Sequence, residues 1–141
     1  MAKQKQLPTG VKILSILYQI GGIIDLLLGV LLLTIGTSLA SLVAGSNPLA
    51  SLFGAIGGAV VIGMGIILLL VGTLAFLIGR GLWNAKNWAR IIAAVFAVLG
   101  IVGSLSGIAA GAVIPNIVGL AVNGLIGWYL LMNEDVKKVF K

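Results

Sequence analysis

The sequence predicts an all-α fold: an integral membrane, antiparallel four-helix bundle, coiled left-handedly around a glycine-lined packing seam. Three observations lead there. Charged side chains make up only 9% of the 141 residues, against 60% hydrophobic ones, whereas a soluble domain carries about a quarter charged residues. Four apolar stretches approach or exceed the roughly 20 residues that a helix needs to cross the hydrocarbon core. Small residues also recur every seven positions along three of those stretches.

The spans are expected at about 11–37, 52–83, 88–111 and 117–132, within a single membrane domain that ends in a cytoplasmic amphipathic tail, 133–141. Breaks fall at Asn47-Pro48, at Asn84 to Asn87 and at Pro115-Asn116, each with residues that favour turns. The leader MAKQKQ is basic, but the apolar run behind it is longer than a signal-peptide core, so the first segment is expected to remain as a span.

The basic residues sort by side. Lys3, Lys5 and Lys12 precede the first span, Arg80, Lys86 and Arg90 bracket the second connection, and Lys137, Lys138 and Lys141 follow the fourth span; together they are all nine cations. The first and third connections carry no charge. Cytoplasmic loops are the ones enriched in Lys and Arg, so both termini and the middle connection are expected on the cytoplasmic side of the cell (plasma) membrane. Trp83, Trp88, Trp128 and Tyr129 fall at that same level, as interfacial aromatic anchors do. A cation–π ligand site built from Trp83, Trp88 and Arg90 is the less favoured alternative.

The seven-residue rows are Ser15, Gly22, Gly29 and Gly36 in the first span, and Ser51, Gly58, Gly65, Gly72 and Gly79 in the second. The third span repeats the pattern with Ala93, Gly100 and Gly107. A strict heptad keeps one helix face only when helices coil left-handedly. Glycine on that face lets backbones approach, which is how membrane helices associate without a hydrophobic driving force. Gly54 and Gly58 also form a GxxxG pair, a pattern associated with self-association.

One acid interrupts the first span. In GIIDLLLG, Asp25 stands three residues after Gly22 and four before Gly29, spacings that share a helix face. Counted from Lys12 at about 1.5 Å per residue, it lies roughly 20 Å into the membrane. An ionisable group there costs about 2.5–3.5 kcal/mol on insertion scales, so partners are expected. No cation reaches that depth, and the predicted buried polar cluster is Asp25 with Asn123, Thr73, Tyr18 and Gln19. Such a cluster is either interhelical glue or the binding group of a proton- or cation-coupled transporter.

Cysteine and histidine are absent, which removes thiol chemistry, disulfides, haem ligation and histidine catalysis. No metal, no cofactor and no catalytic residue is expected. A formal charge of +6 does not point to nucleic acid, because the cations sit at one membrane edge. The uncharged segment 38–54 is read as helix ends projecting outward or as a short hairpin on the outer surface. In NEDVKKVFK, Asn133 is a helix N-cap with Glu134 and Asp135 in the first turn. Val136, Val139 and Phe140 line one face and the lysines the other, so the tail is expected to lie on the anionic leaflet.

Two passages carry a resemblance. GLWNAKNWAR (81–90) and WYLLMNEDVKKVF (128–140) resemble the middle turn and the ending of uncharacterised small four-transmembrane-helix integral membrane proteins of prokaryotes. The resemblance implies their fold and topology and transfers no activity. The layout is also similar to that of the small multidrug transporters, which carry an acid in the first of four short helices; here aromatic residues around the acid are missing apart from Tyr18.

The functional expectation is a non-enzymatic scaffold, accessory subunit or membrane organiser. Its expected partners are membrane lipid, further copies of the chain or other membrane proteins. The alternative is a small carrier or channel using Asp25. Because the chain has no cysteine, its orientation is testable with single introduced thiols. Asn47→Cys should label from outside intact cells and Lys138→Cys only after permeabilisation; the reverse pattern would invert the topology.

Overall fold

A computed structural model describes residues 6–45 and 47–140. Five helices follow in order: α1 (Thr9–Val43), α2 (Pro48–Trp83), α3 (Asn87–Ala109), α4 (Val113–Met132) and α5 (Glu134–Val139), with no strand among the described residues. The first four are each long and apolar enough to cross a membrane. Lys3, Lys5 and Lys141 lie outside the described residues.

Local chemistry sets the boundaries. Asn47 caps α2, its Oδ1 accepting from the Ala50 N–H at 2.7 Å, and Pro48 occupies the first helical position, where no N–H is required. The helix therefore starts earlier than the expected residue 52. Likewise α4 opens at Val113, before the expected 117, because Pro115 falls in a first turn whose N–H groups have no intrahelical partner.

Two helices end in the same way. At the end of α2, Lys86 N–H donates to Gly81 O and Ala85 N–H to Leu82 O; at the end of α3, Ala112 N–H donates to Gly107 O and Gly111 N–H to Ile108 O. Both are Schellman caps, which need one residue in the left-handed region. Gly111 takes it at φ 96°, whereas at the other cap Ala85 is held at φ 53°. An alanine there costs on the order of 1 kcal/mol relative to glycine.

The helices form two compact units. One comprises Tyr18–Leu77, the greater part of α1 and α2. It is an antiparallel hairpin whose connection holds Gly45 at φ 96°, and the segment expected as projecting helix ends or a surface hairpin is the paired ends of α1 and α2. At about 1.5 Å per residue the 35 and 36 residues of α1 and α2 each extend about 50 Å, well beyond a hydrocarbon core of about 30 Å.

The contact between them is backbone on backbone. A Cβ added at Gly22 would stand 2.6 Å from Phe76 N and 2.7 Å from Gly72 O; one at Gly29 would stand 3.0 Å from Gly65 O, and one at Gly36 3.1 Å from Gly58 O. The relation is reciprocal: Gly72 faces Gly22 O at 2.8 Å, Gly65 faces Gly29 O at 3.0 Å and Gly58 faces Gly36 O at 3.0 Å. A glycine Cα hydrogen thus points at a carbonyl across each crossing, a weak bond of about 0.5–1 kcal/mol. Each step of seven up α1 is answered by a step of seven down α2. Gly54 and Gly58 receive Val43 and Ala40 of the same hairpin, so the GxxxG pair is covered within the chain and is not a free self-association face.

The second unit comprises the residues up to Leu17 together with those from Ile78 onward. Here segments of all four long helices meet as a bundle. Within this unit Ser15 Oγ of α1 donates to Gly79 O of α2 at 2.6 Å. Gly10 accommodates the Tyr129 ring of α4, and Gly81 accommodates Ala89 and Trp88 of α3. Between α3 and α4 the interlock alternates. Asn123 and Asn116 of α4 lie on Gly100 and Gly107, whereas Ser104 and Ala97 of α3 lie on Gly119 and Gly127. Val11, Ile78, Leu82, Ala89, Ala93 and Leu130 complete the core.

Glycines inside and outside the seam should respond oppositely to substitution. Gly22→Val should lower stability by about 1–3 kcal/mol through overpacking against backbone. Gly57→Ala, where nothing lies within 4 Å of the added carbon, should be neutral or stabilising by up to about 1 kcal/mol. Denaturation in detergent followed by helical circular dichroism checks both, and equal stabilities would refute the seam's importance.

Candidate functional site

Most polar side chains at membrane depth are satisfied by their own helix. Thr34 Oγ1 donates to Leu31 O at 2.7 Å, Thr73 Oγ1 to Leu69 O at 2.7 Å, and Ser106 Oγ to Val102 O at 3.0 Å. The amides behave alike: Asn116 Nδ2 donates to Ala112 O at 2.6 Å and Asn123 Nδ2 to Gly119 O at 2.8 Å. Each group carries a hydrogen that a carbonyl three or four residues back can accept.

Asp25 is different. An ionised carboxylate only accepts, and the N–H groups inside α1 are already bonded to carbonyls four residues earlier. The structure sets Asp25 at the edge of the seam, half-buried, with its Cβ 3.0 Å from where a Cβ on Gly72 would stand. Among the described residues its carboxylate has no hydrogen-bond or ion-pair partner. Tyr18, Gln19 and Thr73 belong to the same unit, Tyr18 and Gln19 half-buried and Thr73 exposed; Asn123 belongs to the other unit. The Thr73 hydroxyl and the Asn123 amide are bonded within their own helices as described, and Gln19 has a bonded partner.

Among the described residues the cations and aromatic anchors lie in the second unit. Arg80, Lys86, Lys137, Lys138 and the rings of Trp83, Trp88 and Trp128 are exposed, as interfacial anchors are. A cleft of about 880 Å³ opens between the start of α1 and the α2–α3 turn, lined by Gln6, Thr9, Lys12, Trp83 and Asn84.

Arg90 is half-buried. Its guanidinium lies 5.9 Å over the ring of Phe140, a cation–π contact within the tail docking site. Its Nε is buried without a hydrogen-bond partner.

The tail corrects the sequence reading. Asn133 does cap α5, its Oδ1 accepting from Asp135 N–H at 3.0 Å and Val136 N–H at 3.3 Å. The apolar face, however, is docked on the protein and not on lipid: Val136 is 0% and Phe140 3% exposed. Amphipathicity shows that a face must be buried without saying against what. The Arg90–Phe140 pair carries no sequence signal, because the two residues are far apart in the chain.

Compared with protein-family models, with curated proteins and with solved structures, the chain finds no match in any of the three. The chemistry of these residues therefore bears the functional argument alone.

Phe140→Ala should release α5. Local opening exposes backbone to protease, so trypsin should cut after Lys137 and Lys138 about tenfold faster than in the parent protein. An unchanged rate would mean that α5 is not held by this ring.

Proposed function

We propose that the chain is a non-enzymatic multi-pass protein of the prokaryotic cell membrane, oriented with both termini cytoplasmic. It works as an accessory subunit, scaffold or membrane organiser for other membrane proteins, and it groups with the small four-span proteins that its turn and tail passages resemble.

The observation that carries this reading is the division of the surface. The facing sides of α1 and α2, and of α3 and α4, are closed by glycine and backbone contacts. The outward sides are broad, apolar and uncharged, with Leu42 79% and Phe53 68% exposed near the hairpin tip. Helices closed inside and apolar outside have lipid or other transmembrane helices as their surroundings. The exposed cations and the cleft near Lys12 suit anionic headgroups on the cytoplasmic leaflet.

A second reading is favoured by Asp25. A half-buried carboxylate without a partner is also what a proton- or cation-coupled carrier or channel would use. One pair of experiments separates the two. Crosslinking in native membranes should yield discrete complexes with other membrane proteins, and a chain that stays solitary under every crosslinker would defeat the accessory role. In reconstituted vesicles Asp25→Asn should leave proton and cation flux unchanged; a flux that depends on Asp25 would support the carrier.

A further inference from the structure

We propose that Asp25 is an assembly contact, reserved for a transmembrane helix of a different membrane protein that carries a lysine or arginine at the same depth. This rests on the accessory-subunit reading and names the partner's chemistry.

The hydroxyls and amides noted above are satisfied inside their own helices, because each has a hydrogen to give a carbonyl. Asp25 has none to give when ionised, and its own helix has none left to offer. Among the described residues no donor reaches it. A carboxylate in such a place is sustained by an opposite charge or a strong donor.

The chain cannot supply that charge to a copy of itself. All nine cations precede the first span, bracket the second connection or follow the fourth span, about 20 Å from Asp25 along α1. A second copy in the same orientation would bring a like carboxylate to this depth and no cation. A cation at this depth therefore comes from a chain of another sequence.

The surface beside Asp25 is shaped for close approach. Gly21 lies one turn before it, on the same side of α1. Gly22, Gly29 and Gly36 are closed by α2, whereas a Cβ at Gly21 would meet nothing within 4 Å. Leu28, three residues beyond Asp25, is exposed. Gly21, Asp25 and Leu28 together offer a backbone-level recess, a charge and an apolar shoulder. A cationic helix packed there would place its side chain against the carboxylate away from water.

The test uses the full-length chain, fluorescently labelled in phosphatidylcholine vesicles. The probe is a polyleucine transmembrane helix with one central lysine, compared by energy transfer with the same helix lacking it. The lysine helix should associate about tenfold more tightly, the scale of one interhelical polar contact. Asp25→Asn should abolish that difference, Asp25→Glu should retain it, and Gly21→Leu should weaken it.

Equal binding of the two helices, or a preference for lysine that survives in Asp25→Asn, would overturn the proposal. Complexes in native membranes that persist with Asp25→Asn would also overturn it while leaving the accessory reading intact. Loss of all complexes in the parent protein would remove that reading itself.

Discussion

The hairpin of α1 and α2 depends on one constraint: two backbones must touch at every seventh residue from Gly22 to Gly36. No hydrophobic driving force holds helices together in lipid, so packing has to come from contact area and weak polar bonds. Glycine supplies both, since its missing side chain admits the neighbouring carbonyl and its Cα hydrogens can face it. One crossing adds little. Three in register, Gly22 with Gly72, Gly29 with Gly65 and Gly36 with Gly58, define a single alignment, because a shift along the seam would set side chains against backbone.

The same logic governs α3 and α4 with different residues. There asparagine fills the space that glycine leaves: Asn123 rests on Gly100 and Asn116 on Gly107, each anchored by an amide bond to its own helix. A polar side chain becomes a packing element once its hydrogens are satisfied locally. That is why buried amides at membrane depth need not mark a binding site. Asp25 stands apart because a carboxylate cannot use this device.

Where the second unit carries the cations the forces change. Water is available to the cations, so Lys86, Lys137 and Lys138 remain exposed, while Val136 and Phe140 are withdrawn from it. Docking α5 on the protein gives Arg90 an aromatic face. Ala85 in the left-handed region closes the α2–α3 turn so tightly that Gly81 meets Ala89. Local strain is accepted there because a close helix connection is obtained.

Much of this was legible in the chain itself. The all-α class, the number of long apolar helices and the cap at Asn133 follow from length, hydropathy and side chains acting on their own neighbourhood. The heptad showed which residues of each helix share a face. What it could not show is which residue of another helix lies opposite, for that depends on segments distant in sequence. Only the tertiary structure paired Gly22 with Gly72, covered Gly54 with Val43, turned the tail inward and left Gly21 open beside a carboxylate with no donor among the described residues. Periodicity orients a side chain about its own axis; the neighbour it meets is decided by packing.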